Sequence, residues 1–155
     1  MWTATAGAHT VEVVVDPGNA IAEIDEANNS SSSSFAAQTK ADLNPRALSL
    51  SAVRAKGGDL LTFTVQVANL GQAGAADVAV RFVVDGAQVG AQRTIAQLAG
   101  GASAAVASDA WNASHRDGQH TVQVLVDPAN AVPESNEANN AAAGTFRVKG
   151  GRLSS

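Results

Sequence analysis

The sequence predicts an all-β chain, in which a β-hairpin precedes a β-sandwich of about seven short strands. Apolar and polar residues alternate with a period of two, as in residues 61–67, where Leu, Phe and two Val alternate with Thr and Gln. Turn-forming residues separate such stretches, and Asp85-Gly86 is a strong hairpin signal. Gly, Val, Thr, Asn and Ser interrupt nearly every window that could form a helix, so helices are not expected.

A segment that occurs twice determines the predicted domain organisation. Residues 7–29 and 118–140 share Gly-x-His-Thr-Val, Asp-Pro and Asn-Asn at a constant offset of 111 residues, as from Asp16 to Asp127. A period of this size fits one β-sandwich domain. The sequence therefore predicts the C-terminal part of a preceding repeat at 1–37, a linker at 38–41, a complete repeat at 42–149 and a tail at 150–155.

Within the complete repeat, alternating apolar residues and turn signals place seven short strands. The expected strands lie near residues 46–53, 60–70, 77–85, 87–92, 102–111, 119–127 and 143–149. Their number and the turns between them favour an immunoglobulin-like sandwich. A barrel is less favoured, because the spacing of the strands is uneven and no closing strand is recognisable. The partial repeat corresponds to the last two strands, which predicts a hairpin there.

Composition narrows the functional classes. Hydrophobic residues make up 45% of the chain, enough for a core, whereas charged residues make up only 15%, below the ~25% of typical domains. The net charge is −4 and no basic cluster occurs, which argues against a nucleic-acid partner. The chain has no cysteine for a disulfide or a metal site, and no apolar run reaches the ~18 residues of a membrane helix.

Several motifs in residues 42–148 carry a resemblance to one family. They are Asp42-Leu43, Leu61-Thr62-Phe63-Thr64-Val65, Asn69-Leu70-Gly71, Leu98-Ala99-Gly100-Gly101-Ala102, Trp111 and, above all, DPANAVPESNEANN at 127–140. On these motifs the chain resembles CARDB, the cell-adhesion-related domain found in bacteria, over nearly its whole length. The resemblance implies immunoglobulin-like sandwiches in secreted or surface-anchored bacterial and archaeal proteins, often in tandem, and it implies no catalytic activity.

The segment between the last two predicted strands contains the densest group of polar residues. Its members include Asp127, Asn130, Glu134, Glu137 and Asn139, and residues 16–28 repeat them. Their side-chain oxygens are ligands that Ca²⁺ prefers, so a stabilising calcium site is one interpretation, although the spacing is not that of an EF-hand. We favour the other interpretation, in which Asp-Pro makes a turn and the Asn and Glu side chains bind backbone N–H groups. No other cofactor is expected.

Histidine and tryptophan are the remaining candidates for chemistry. His9 and His120 occupy equivalent positions, yet no nucleophile recurs at a fixed relation to them and no metal-binding His pair occurs. A hydrogen-bonded or packing role at the start of a strand is therefore favoured, and the chain is expected not to be an enzyme. Trp2 and Trp111 could stack on sugar rings, but a single Trp beside apolar strands more often packs in a core.

The partial repeat is expected to have an uncovered apolar face, lined by Val11, Val13, Val15, Ile21 and Phe35. Because a two-stranded hairpin is marginal in water, this segment could be disordered, lie on its own chain or pair with another chain. Pairing with another chain ranks first. It predicts a homo-oligomer whose interface includes Val11, Val13, Val15 and Phe35.

These observations together favour a non-enzymatic structural or adhesion module of a secreted or cell-surface repeat protein, acting as a spacer or adhesive stalk. One alternative is a self-associating fibre or sheath subunit, and another is an accessory carbohydrate-binding domain of a secreted hydrolase. The expected partners are other repeats of the same protein, a second copy of the chain, and a cell-surface glycan or protein. Neither nucleic-acid binding nor membrane insertion is expected, and the expected location is outside a bacterial or archaeal cell.

Overall fold

The computed structural model describes residues 2, 5, 7–37, 39–114 and 116–150, and it divides the chain into two compact units between Thr39 and Lys40. Throughout these residues the regular elements are β-strands. They are β1 (Gly7–Val14), β2 (Ser30–Ala37), β3 (Leu43–Leu50), β4 (Arg54–Lys56), β5 (Leu60–Leu61), β6 (Phe63–Asn69), β7 (Ala75–Val84), β8 (Ala87–Gln88), β9 (Arg93–Leu98), β10 (Ser103–Ala107), β11 (Trp111–Asn112), β12 (Gly118–Val126) and β13 (Ala141–Lys149). The described part of the chain contains no helix of the length and apolarity that crossing a membrane requires.

The first unit contains the predicted hairpin, an antiparallel pair of β1 and β2. The serine run of residues 30–34 forms most of β2, because its backbone pairs with β1, as Ser33 does with Val11 and Ser31 with Val13. The turn of the hairpin uses Asp16 and Asn19, whose φ angles of 43° and 50° lie in the left-handed region that Asp and Asn tolerate.

The second unit is a β-sandwich with two main sheets. One sheet has the strand order β10-β6-β3, and the other has the order β4-β13-β12-β7-β8, with β9 also paired to β7. A short pair, β5 and β11, lies outside both sheets. The predicted immunoglobulin-like β-sandwich is confirmed.

The inward-facing residues of alternating strands form the core of the second unit. In β6, Phe63, Val65 and Val67 are buried, while the positions between them are more exposed. The two sheets meet at Phe63 and Phe146, whose ring centroids lie 5.6 Å apart. This burial follows the period of two in the sequence, because successive side chains of a strand point to opposite faces.

The Asp85-Gly86 turn has the conformation that its sequence predicts. Asp85 and Gly86 both have positive φ angles, 48° and 84°, as a two-residue type I′ turn requires. The turn joins β7 to β8, in the register Val84 with Ala87. The backbone N–H of Asp85 also donates to the carbonyl of Thr121 at 3.0 Å, which fixes the turn against β12.

Four of the predicted strands are wrong in their extent, and two of these are divided in the structure. Of residues 87–92 only Ala87 and Gln88 form a strand, while Arg93–Leu98, which was not among the expected strands, forms β9. Residues 46–53 were expected as one strand, but β3 ends at Leu50 in one sheet and β4 begins at Arg54 in the other. Residues 60–70 divide into β5 and β6, and residues 102–111 divide into β10 and β11. An alternating pattern does not reveal such breaks, since a strand that changes sheets at a bend keeps its period. Pro45 lies inside β3, which accepts it as an edge strand.

Candidate functional site

The connection between β12 and β13, residues 127–140, contains the predicted polar site, and we call it the closing loop. Asp127 and Asn130 make its first turn, with φ angles of 44° and 54°. The two carboxylate oxygens of Asp127 accept hydrogen bonds from the backbone N–H groups of Ala131 (3.0 Å) and Val132 (2.7 Å). Asp127 therefore holds the turn closed with both of its side-chain oxygens.

Glu134 is a buried member of the closing loop, with 4% of its surface exposed. Its Oε2 accepts a hydrogen bond from the Leu43 N–H at 2.5 Å, and its Oε1 accepts one from Asn140 Nδ2 at 2.7 Å. Burial raises the pKa of Glu134 above its ordinary value, the two hydrogen bonds oppose this, and the charges of Glu137 and Asp127 raise it further. Glu134 thereby ties the closing loop to the first residue of β3.

The start of the second unit lies against the closing loop through further hydrogen bonds. The Ala41 carbonyl accepts one from the Ser135 N–H at 2.9 Å and a longer one from the Ser135 hydroxyl at 3.3 Å. Asn139 Nδ2 donates to Asp42 Oδ1 at 2.8 Å, and Ala41 forms an isolated parallel bridge with Glu134. We call these contacts between residues 41–43 and 134–140 the latch, because they fasten the first strand to a loop more than ninety residues away.

Asn69, the last residue of β6, holds the same stretch of backbone and is fully buried. Its Oδ1 accepts hydrogen bonds from the N–H groups of Asp42 and Gly71, each at 3.1 Å. Its Nδ2 donates to the carbonyls of Ala73 at 2.8 Å and Leu98 at 3.1 Å. All the hydrogen-bonding capacity of one amide, two donors and two lone pairs, is thus used on backbone groups.

Sequence reasoning did not select Asn69 or Gly71 as site residues. A Cβ atom at Gly71 would lie 2.2 Å from the Lys40 carbonyl oxygen, so only glycine lets the start of the domain pass this closely. The available signal was Asn69-Leu70-Gly71 at the end of a strictly alternating strand, where an amide and a glycine replace the apolar pattern. This signal indicated a turn, but not which backbone groups the amide would bind.

The five predicted calcium ligands all lie in the closing loop. The carboxylates among them, those of Asp127, Glu134 and Glu137, accept hydrogen bonds from other groups of the protein. Glu137 Oε1 accepts a hydrogen bond from the Glu134 N–H at 2.9 Å. In the described part of the chain, no three His, Cys, Asp or Glu side chains are grouped so as to hold a metal ion. The buried Oδ1 atoms of Asn139 and Asn140 accept no hydrogen bond from described residues. The calcium interpretation stays a prediction, while the backbone-binding role is observed for Asp127, Glu134 and Glu137.

His120 is held on both ring nitrogens. Its Nδ1 lies 2.5 Å from Asp85 Oδ2, and its Nε2 lies 2.7 Å from the Arg116 carbonyl oxygen. Both partners can accept, so the protonated form of the ring donates to both of them at once. Burial lowers the pKa of His120, but the Asp85 and Arg116 hydrogen bonds outweigh it, and the pKa lies above its ordinary value. The ring therefore joins β12 to the turn after β7, as the favoured structural interpretation predicts.

Trp111 packs in the core instead of presenting a flat surface. Only 8% of it is exposed, and its ring centroid lies 5.4 Å from that of His120 and 5.3 Å from that of Phe146. The Arg116 guanidinium lies 5.3 Å from the Trp111 ring centroid, within cation–π distance. The packing interpretation of Trp111 is confirmed, and a sugar-stacking role for this ring is excluded by its burial.

The hairpin of the first unit repeats the local structure of β12, the closing loop and β13. Each of the eight residue pairs of β1 and β2 has its counterpart 111 residues later, so that His9 pairs with Phe35 as His120 does with Phe146. Asp16 accepts hydrogen bonds from the N–H groups of the fourth and fifth residues after it, at 2.9 and 2.7 Å, as Asp127 does. The repetition in sequence is therefore also a repetition in backbone geometry.

The two hairpins differ in what covers them. We call Val11, Val13, Val15 and Phe35 the hairpin valine face, and their exposed fractions are 50%, 60%, 60% and 42%. The exposed fractions of the counterparts Val122, Val124, Val126 and Phe146 are 0%, 0%, 1% and 3%. The exposure of these side chains is observed, whereas the role of this face as an interface stays a prediction.

The chain matches one protein-family model, described as CARDB, over residues 1–33 and 40–144. No curated protein sequence matches it. The second of these matched stretches contains the latch, Asn69 and most of the closing-loop contacts described above.

Solved structures with a similar fold include two domains with recognisable sequence identity. The CARDB domain of a Pyrococcus furiosus protein, solved in complex with di-metal ions, is 25% identical, with a TM-score of 0.63 over 70% of this chain and 94% of that domain. A domain of a candidate cell surface protein from Methanosarcina acetivorans is 30% identical, with a TM-score of 0.59 over 71% of this chain and 93% of that domain. A β-glucosidase from Erythrobacter marinus shares the fold alone, with 14% identity and a TM-score of 0.52, over 70% of this chain and 16% of the enzyme.

Proposed function

This chain belongs to the CARDB family, and we propose that its second unit is a non-catalytic spacer or stalk module of a secreted or cell-surface protein. The observation that supports this most is the use made of the buried polar side chains. Asp127, Glu134 and Asn69 all bind backbone groups that fix the start of the domain and the closing loop. Side chains engaged in this way define the shape of a module, and these three are not free to act on a substrate.

A location on the cell surface or outside the cell is supported by the composition of the chain and by one similar domain. A chain without cysteine and with a negative net charge suits a bacterial or archaeal exterior, and the 30% identical Methanosarcina domain comes from a candidate cell surface protein. Antibodies raised against residues 40–149 are expected to label intact source cells or their culture medium. Labelling that appears only after the cells are permeabilised would contradict the proposal. Antibodies against a cytoplasmic protein, used in parallel, control for the intactness of the cells, because they label only broken cells.

A second candidate function is self-association through the hairpin valine face. The observation that favours it is that the side chains of this face are about half exposed, whereas their counterparts 111 residues later are buried in the core of the second unit. Fully burying an exposed valine side chain contributes roughly 1.5–3 kcal/mol, so covering the exposed half of three of them would contribute about 2–4.5 kcal/mol against the cost of association. This candidate would make the chain a subunit of a dimer or, if the contact is head-to-tail, of a fibre.

Charge substitution on the two faces of β1 tests this candidate. Val13→Lys places an ammonium group on the hairpin valine face, and Val14→Lys places the same group on the opposite face, where the exposed fraction is 47%. Light scattering coupled to chromatography over a wide concentration range is expected to show an oligomer for the parent chain and for Val14→Lys. A monomer is expected for Val13→Lys. A parent chain that stays monomeric at every concentration, or equal losses in both variants, would remove this candidate.

A further inference from the structure

The path of the chain through the second unit separates its two ends along the strand direction. The unit starts at Lys40, and the latch holds Ala41 beside Glu134, in the loop that leads into β13. It leaves after Lys149, at the far end of β13. A strand of nine residues spans about 27 Å, so a pull on the two ends acts along the length of the strands.

Of the strands in the larger sheet, β4 comes first along the chain and β13 comes last. These two strands pair directly with each other and run in the same direction. β4 and β13 are parallel, with Arg54 opposite Arg147, Ala55 opposite Val148 and Lys56 opposite Lys149. Two further bonds extend the ladder, from the Arg147 N–H to the Val53 carbonyl at 3.1 Å and from the Gly57 N–H to the Lys149 carbonyl at 3.0 Å. A pull on the exit loads β13 directly, whereas a pull on the start of the unit reaches β4 through β3, which is paired to β6 in the other sheet.

Parallel pairing between these strands decides how a pull is resisted. Once β3 has detached from β6, tension draws β4 towards the start of the unit and β13 towards its exit, so these two strands are pulled past each other along their own axes. All bonds of the ladder then carry the load together, because the bonds of a parallel pair are evenly spaced. In peeling, by contrast, the bonds break one after another. The bridge between Ala41 and Glu134 is also parallel and is loaded in the same way.

We propose that the β4–β13 ladder, together with the latch, is a mechanical clamp with which this domain resists tension along a cell-surface protein. The inference rests on the proposed spacer function and adds to it the property of bearing force. It concerns the rate of unfolding under load, which is governed by the strand contacts that must break first and not by the overall stability of the domain.

Single-molecule stretching in two directions tests the clamp without altering β4 or β13. The sequence has no cysteine, so Ala87→Cys, at an exposed position of β8, provides a unique attachment point. Ala87 lies at the same end of the sheet as the exit after Lys149, since β8 follows the Asp85 turn that contacts Thr121. Pulling from this cysteine to the C-terminus peels β13 away, and pulling from the two chain ends shears it. We expect a several-fold higher unfolding force in shear, and equal forces would overturn the proposal.

A matched pair of proline substitutions locates the clamp within β4. The backbone N–H groups of successive residues in β4 point alternately towards β13 and away from it. The Ala55 N–H points towards β13, and the Arg54 N–H points towards the outer edge of the sheet. Ala55→Pro is expected to raise the rate of unfolding at a fixed shear load by roughly five- to tenfold, and Arg54→Pro by less than about twofold. Equal effects of both prolines would overturn the clamp. Neither outcome changes where the protein is found on the cell, so the antibody experiment on the spacer function stays separate.

Discussion

Asn69→Ala is expected to destabilise the second unit by about 4 kcal/mol, because one buried and three partly buried backbone groups lose their partners together. The Asp42 and Gly71 N–H groups lose their acceptor, and the Ala73 and Leu98 carbonyls lose their donor. Each unpaired buried group costs roughly 1–3 kcal/mol, and relaxation towards water recovers part of the sum. Urea unfolding followed by circular dichroism measures the loss as a lower midpoint with an unchanged slope.

Asn112→Ala is the matched control for this substitution. Asn112 is exposed, and its Oδ1 accepts one hydrogen bond, from the Ser114 N–H at 2.8 Å. Its removal is expected to cost about 0.5–1 kcal/mol. Hydrogen exchange in Asn69→Ala should accelerate at the Asp42 and Gly71 amides before it does elsewhere. A loss below about 1 kcal/mol for Asn69→Ala, equal to that of the control, would show that the amide network adds nothing to stability.

The strands and the hairpin were predictable because they depend on local chemistry. The alternation in β6 shows which side chains face the core, and the Asp85-Gly86 pair fixes a turn that only positive φ angles permit. The backbone of the first hairpin followed from the second copy of the same residues. In these cases neighbouring residues carry all the information that the structure uses.

The latch and the divided strands were not predictable, because they depend on contacts between distant parts of the chain. Nothing near Glu134 indicates that its carboxylate binds the Leu43 N–H, ninety-one residues earlier. Asp85 likewise gave no sign of pairing with His120 across the sheet. The break between β3 and β4 arises where the chain changes sheets, which depends on the packing of the sandwich and not on the residues of the break alone.

Glu134→Ala is expected to destabilise the second unit by about 3 kcal/mol, because it cuts the latch at its most buried point. The Leu43 N–H, on a residue with no exposed surface, is left without an acceptor, and the Asn140 amide loses its partner. Among the described residues, Ser135 and Asn139 are then left to fasten the start of the domain to the closing loop. Thermal unfolding followed by circular dichroism checks this as a fall of roughly 10 °C or more in Tm.

Glu134→Gln separates the shape of this side chain from its charge. A glutamine keeps one acceptor for the Leu43 N–H, and its amide can donate to Asn140 Oδ1, which accepts no hydrogen bond from described residues. It also removes a carboxylate whose pKa burial has raised, so the cost of keeping a buried charge disappears. We therefore expect a change within about 1 kcal/mol, both in a chelator and in about millimolar calcium. A calcium-dependent rise in the Tm of the parent chain that Glu134→Gln abolishes would instead show that the closing loop binds the metal through this carboxylate.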